Sequence, residues 1–246
     1  MRRVLGYAAA VVLIVGTWWG LAVWVGSPAL PRPWPALVAL VRALPALWPH
    51  VLVSLWRILA AMALGMGLAL PAGVLIGRSR AVATVATPLI HLLYPIPKVV
   101  FLPVLLVLLG LGNAPKIVLI ALTVFFQTLV SVRDAVRVIP MPYLAAVRAF
   151  GANRWQTVWH VVLPAALPGL FTSLRINVGT AIAILFLAES IAGDSGIGYY
   201  VMQMWAMIDY PAMFAGIIAM AAMGVAIYES LELIEHVALR WQRAQG

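Results

Sequence analysis

Six apolar runs divide this chain, at residues 4–25, 51–77, 88–109, 117–132, 169–191 and 213–234. A helix needs about 20 mostly apolar residues to cross the hydrocarbon core of a bilayer. Soluble domains carry roughly 25% charged residues, whereas this chain has 9% charged and 65% hydrophobic residues. Such a chain is expected to be an all-α, polytopic membrane protein with about six transmembrane helices. The absence of cysteine excludes disulfides, thiolate metal sites and thiol chemistry. In a membrane protein the net charge of +9 reflects basic loops on the cytoplasmic side, and no nucleic-acid partner is expected.

Arg2 and Arg3 precede the first run, which is longer than the apolar core of a signal peptide and has no convincing cleavage site. It reads as a span. Pro28, Pro31, Pro33, Pro35 and Pro45 punctuate an external segment with a short amphipathic piece at 36–44. The second run carries Gly65, Gly67, Gly73 and Gly77, the last two a small-xxx-small pair suited to close helix packing within the chain. Pro95, Pro97 and Pro103 should break the third run. Irregular backbone at membrane depth is tolerated only where protein or a cavity covers it. Residues 110–116 superficially resemble a phosphate-binding loop but lack its GK[ST] ending, so this chain is not expected to bind ATP. With both termini inside, ten basic residues fall on the cytoplasmic side and three (Arg32, Arg42, Lys116) outside, which supports that orientation.

Residues 142–168 form the longest polar interval between apolar runs. Tyr143, Ala146, Val147 and Phe150 share one helix face, Gly151 breaks the pattern, and Asn153 with Gln156 reads as a capping box. Trp155, Val158, Trp159 and Val162 make a second apolar face opposite Arg154, Gln156, Thr157 and His160. Pro164 and Pro168 are expected to close this amphipathic hairpin.

The pattern AAV…G…LP, with Gly151 six residues after Ala145 and Leu163-Pro164 twelve after Gly151, resembles the EAA loop of permease subunits of binding-protein-dependent ABC importers. The likeness runs from about residue 50 to the C-terminus. YPIPKVVFLPVLLVLLGLGNAPKI, LRINVGTAIAILFLAES and GIGYYV are most similar to the nitrate/sulfonate/taurine branch. The chain departs from the family at Ala145, where a glutamate is usual. The resemblance implies a type I importer permease fold, with residues 1–49 as an N-terminal helix and external segment and 50–246 as the permease core. It implies that Ala145, Ala146, Arg148, Gly151, Ala152, Arg154, Trp155, Leu163 and Pro164 belong to the loop that docks on an ATPase. It further implies two ATPase subunits, a periplasmic or lipid-anchored solute-binding protein, a second permease copy, and a place in the bacterial inner membrane. No cofactor or metal is implied, and the chain itself would be no enzyme.

Arg57, Lys98 and Arg175 lie within the apolar runs, with Glu189 of opposite sign. Ionisable groups at membrane depth are costly and face cavities or partners. The four are candidate pathway residues, and the surplus of positive charge suits a small anion such as a sulfonate or nitrate. Alternatively the arginines snorkel, Glu189 gates or serves as a counter-ion, and Lys98 holds carbonyls freed by the prolines. Bicarbonate or a vitamin precursor would leave similar motifs. A membrane enzyme would need convergent carboxylates or histidines, which the sequence does not offer. An ion channel would need a polar filter that only the YPIPK region could supply.

Overall fold

The computed structural model describes residues 2–240, with side chains from residue 5. Arg243 of the basic tail and the side chains of Arg2 and Arg3 lie outside the described residues. Among those described there is only helix and connecting turn: α1 (Arg2–Val25), α2 (Pro33–Arg78), α3 (Arg80–Leu93), α4 (Leu102–Leu109), α5 (Asn113–Arg137), α6 (Met141–Ala149), α7 (Arg154–Thr157), α8 (Leu163–Ala192), α9 (Ile197–Ala206) and α10 (Tyr210–Ala238). Among the described residues five helical stretches are long and apolar enough to cross a membrane, and a sixth span follows if the α3–α4 pair, bent by 83°, is counted as one.

That bend falls where the prolines predicted it. Residues 94–97 leave the helix, a single 3₁₀ turn follows at Lys98–Phe101, and Pro103 sits harmlessly at the start of α4. Two expectations from proline are corrected. The segment at 33–50 is not broken up by its prolines but is the beginning of the 46-residue α2. Pro33 and Pro35 occupy its first turn, where the missing N–H has no helical acceptor to lose. Pro45 forfeits one hydrogen bond without ending the helix. Likewise Pro164 and Pro168 do not close the hairpin, because α8 runs through both. A π turn at Val158–Val162 leads directly into α8. Its wider loop accommodates the ring of Pro164 without the clash that proline makes with an α-helical carbonyl.

The chain forms two compact units. One comprises the described residues up to Ser54 together with Glu189–Met223, the other Leu55–Ala188 together with the described residues from Gly224. Within the second unit α2 and α5 approach at backbone distance. A Cβ placed on Gly65, Gly73 or Gly77 would lie 2.7 Å from the Ala121 carbonyl oxygen, 2.9 Å from Val132 Cβ and 2.8 Å from Val136 Cβ, respectively. Ala69, fully buried, continues the same every-fourth-residue stripe. Small residues at this spacing bring two helix backbones together, and the close fit maximises dispersion contacts where lipid supplies no hydrophobic drive. Gly67, off the stripe, meets nothing within 4 Å. In the first unit Trp18 stacks on Phe214, with ring centroids 5.3 Å apart, and its indole N–H donates to the Pro31 carbonyl at 2.9 Å.

Candidate functional site: the hairpin and the buried charges

The turn between α6 and α7 is built by three local devices. Gly151 has φ +85°, and its N–H donates to Arg148 O at 2.9 Å while the Ala152 N–H reaches Val147 O at 3.2 Å. These two bonds close α6 in a Schellman motif, which demands a residue at ease with positive φ. Asn153 then caps α7: its side chain accepts from the Gln156 N–H at 2.8 Å, and the Gln156 side chain accepts from the Asn153 N–H at 2.8 Å. The expected helix–glycine–capped-helix order is present, and the direction of the chain through the turn is fixed by bonds within residues 147–156.

The facing of the two helices differs from simple amphipathic packing. Leu144, Thr157 and Val162 are the buried positions. Tyr143, Phe150, Trp155 and Trp159 are exposed, Phe150 at 93% of its surface. Trp155 and Trp159 meet edge to face at 5.6 Å. Of the remaining candidate loop residues, Ala145, Ala146, Arg148 and Arg154 are exposed, and Ala152, Leu163 and Pro164 are half-buried. The aromatic members of both apolar faces are therefore exposed, while Leu144 and Val162 are buried.

The charges within the apolar runs each have named partners. Lys98, 8% exposed, donates to the carbonyls of Leu93 at 2.6 Å, Ile96 at 2.8 Å and Tyr94 at 3.3 Å. Its ammonium also sits 4.7 Å from the centroid of Phe126. An ammonium has three donors, and the broken helix supplies three acceptors. This is the capping arrangement that the prolines allowed for. Arg57, buried in α2, donates through Nε to Asn113 Oδ1 at 2.7 Å and so ties α2 to the first residue of α5. Arg175 pairs with Glu235, nitrogen to oxygen 3.0 Å, as an ion pair not aligned for a hydrogen bond. That carboxylate belongs to the Glu229–Glu235 group that the sequence assigns to a solvated helix end.

Glu189 is fully buried and holds the start of α9. Ser54 donates to its carboxylate oxygens at 2.8 and 2.9 Å, and the Gly198 N–H donates to Oε2 at 2.9 Å. The Ile197 N–H donates to Ser54 Oγ at 2.8 Å, and the Gly196 N–H to His50 Nδ1 at 3.1 Å. These side chains satisfy N–H groups that a helix start leaves without internal partners, and the carboxylate lies at the favourable end of the helix dipole. Gly196 has φ +105°, and a Cβ there would collide with the Glu189 carboxylate. Burial and the nearby Asp209 carboxylate raise the pKa of the Tyr200 phenol, whose ring centroid lies 5.8 Å from that of His50.

Sequence reasoning passed over one buried polar cluster. Asn177 Nδ2 donates to Thr128 Oγ1 at 3.1 Å and to Ser173 Oγ at 3.4 Å, all three within the second unit. An asparagine inside an apolar run was the available signal, overshadowed by the formal charges nearby.

The described residues thus form a helical chain with up to six candidate membrane spans, one of them broken, and a tightly turned hairpin whose aromatic side chains are exposed. The match that names its family covers residues 65–236, and the chain belongs to the binding-protein-dependent transport system inner membrane components. The taurine transport system permease protein TauC of Escherichia coli (strain K12) is 29% identical over 249 residues, spanning 98% of this chain and 90% of that protein. The riboflavin transport system permease protein RibX of Chloroflexus aurantiacus is 29% identical over 242 residues, spanning 97% and 90%. Among solved structures, an inward-facing MetNI methionine ABC transporter has a chain superposing with a TM-score of 0.68 at 22% identity, covering 79% of this chain and 98% of that one. The protein is thus a permease subunit of a binding-protein-dependent ABC importer, an inner-membrane component whose ATPase is a separate subunit.

Proposed function

We propose that residues 142–168 are the ATPase-coupling element and that the imported solute is a small anion of the sulfonate class. The observation that carries the coupling reading is the exposed aromatic face of a turn whose own backbone is fully tied. Tyr143, Phe150, Trp155 and Trp159 stand outward on it, with Arg148 and Arg154. Apolar side chains grouped on a polar hairpin mark a surface that a partner covers. A rigid turn transmits displacement, so closing of an ATPase pair would move the attached α8. The likeness to a taurine permease supports a solute bearing a sulfonate group, and a riboflavin permease at the same identity keeps a vitamin as the second reading.

The wider assembly follows the same reading. Two permease copies, two ATPase subunits and a solute-binding protein would make the importer, with both permease termini on the cytoplasmic side. The family match lies wholly within the permease core proposed for 50–246, preceded by the segment 1–49. For the pathway, Lys98 borders a cavity of about 310 Å³ that is otherwise apolar. Arg57, Arg175 and Glu189 remain candidate pathway residues, each with the partners described above.

Reconstitution with the ATPase and the binding protein tests this. Gly151→Pro, which removes the N–H bonded to Arg148 and cannot adopt φ +85°, should abolish solute-stimulated ATP hydrolysis while leaving insertion intact. Wild-type stimulation would refute the coupling reading. Mass spectrometry of the solute carried by the binding protein decides between a sulfonate and a vitamin. Single cysteines replacing Asn153 and Ser195 should label from opposite sides, Asn153 from the cytoplasm. Labelling of both from outside would refute the orientation.

A further inference from the structure

We infer that a basic cleft beside α6 receives carboxylate side chains of the ATPase subunit, so that the ATPase presents an acidic surface to this permease. The inference rests on the coupling reading above and adds the chemistry of the partner. The cleft, about 880 Å³, is formed by the end of α2, the start of α3, the end of α5 and α6. Four arginines line it, Arg78, Arg80, Arg137 and Arg148, and no aspartate or glutamate does. Ala145 stands on the same wall and contributes no charge. Arg78 is half-buried and the other three are exposed. Among the described residues none of the four guanidinium groups has a hydrogen-bond or ion-pair partner.

The contrast with neighbouring arginines makes this arrangement informative. Arg133, one turn before Arg137, is held by Asp134 through bonds of 2.7 and 3.1 Å, and Arg175 is paired with Glu235. The four cleft arginines instead converge on one cavity with no carboxylate among its described lining residues. Five of its fourteen lining residues belong to α6, the helix whose Tyr143 stands exposed and which leads into the exposed Phe150. An occupant that covers those apolar side chains also closes the cleft mouth and takes the guanidinium groups out of water. Removing unpaired charges from water is strongly unfavourable, and a carboxylate that meets the guanidinium fork in two parallel hydrogen bonds is the compensation that fits. Because α6 forms so much of the wall, the occupant is the protein that docks on α6 rather than a phospholipid headgroup.

The test uses a triple Arg78→Gln/Arg80→Gln/Arg137→Gln variant, which leaves α6 untouched, and a matching triple lysine variant that keeps the charge. Each is placed in nanodiscs of phosphatidylcholine alone, and binding of the ATPase subunit that co-purifies with the wild-type chain is measured across salt concentrations. The glutamine variant should bind at least about tenfold more weakly with a shallower salt dependence, while the lysine variant keeps the wild-type slope. Unchanged affinity and slope in the glutamine variant overturn the inference. So does a defect confined to ATPase activity in vesicles containing phosphatidylglycerol, which would assign the cleft to an anionic headgroup. If the triple variant does not insert, single Arg137→Gln should still weaken binding about threefold, and unchanged binding overturns the inference. Gly151→Pro separates the two readings: uncoupling there with wild-type binding in the glutamine variant retains the coupling loop and removes the acidic partner alone.

Discussion

Ser54 Oγ lies 2.8 and 2.9 Å from the two carboxylate oxygens of Glu189, a residue 135 positions later in the chain. The same hydroxyl accepts the Ile197 N–H, and the carboxylate accepts that of Gly198, so one buried pair terminates α9 at its first turn. Ser54→Ala should cost about 1–3 kcal/mol by leaving buried partners unsatisfied, and Glu189→Ala more. Gly196→Ala should be destabilising too, since its methyl group meets the Glu189 carboxylate. Thermal unfolding in detergent measures all three, and unchanged melting in the Ser54 and Glu189 variants would show that the clasp contributes nothing.

The glycine stripe of α2 makes a paired prediction. Gly73→Val and Gly77→Val place bulk against Val132 and Val136, where a Cβ alone would already lie 2.9 and 2.8 Å away. Overpacking of this kind costs about 1–3 kcal/mol and here requires two helix backbones to separate. Gly67→Ala enters open space and should be neutral or stabilise by up to about 1 kcal/mol through helix propensity. Equal melting temperatures for Gly67→Ala and Gly73→Val would contradict the stated α2–α5 contact.

Lys98→Met preserves the length of the stem but leaves the carbonyls of Leu93, Tyr94 and Ile96 without the ammonium that binds them. Hydrogen bonds to a charged group contribute about 1.5–3 kcal/mol each, and the Leu93 carbonyl keeps the Ile96 N–H at 3.3 Å. The variant should therefore melt earlier than wild type even without solute. Lys98→Arg, longer and planar, should restore part of that loss. A Lys98→Met protein that melts like wild type but no longer transports would instead assign the residue to the solute path.

Gly151→Ala tests the turn with the smallest change. Nothing lies within 4 Å of its Cβ position, so any effect comes from φ +85° alone. The cost should be roughly 1–2 kcal/mol, and Gly151→Asn should be milder because asparagine tolerates the left-handed region. Solute-stimulated ATP hydrolysis should fall in the order glycine, asparagine, alanine. Identical stimulation in all three would mean that the turn is not held in this conformation during coupling.

Much of this protein was legible from residue order because the relevant interactions are short-range. The number of apolar runs, the break at 94–97 and the Gly151 turn with its Asn153–Gln156 cap depend on desolvation of a segment or on bonds within about one helical turn. Proline was a poorer guide to element ends. Pro33 and Pro35 sit where a helix has no hydrogen bond to lose, and a π turn precedes Pro164. Burial of the hairpin was not legible at all. Tyr143, Phe150, Trp155 and Trp159 have the spacing of a core-facing stripe but point outward, and apolar periodicity is the same whether the cover is the chain itself or a partner. The role of Glu189 was also beyond reach, since nothing local links it to Ser54. Residue order determined where the chain enters and leaves apolar surroundings. Tertiary structure alone decided which charge meets which donor, because that pairing depends on how distant segments cross and not on the composition of either.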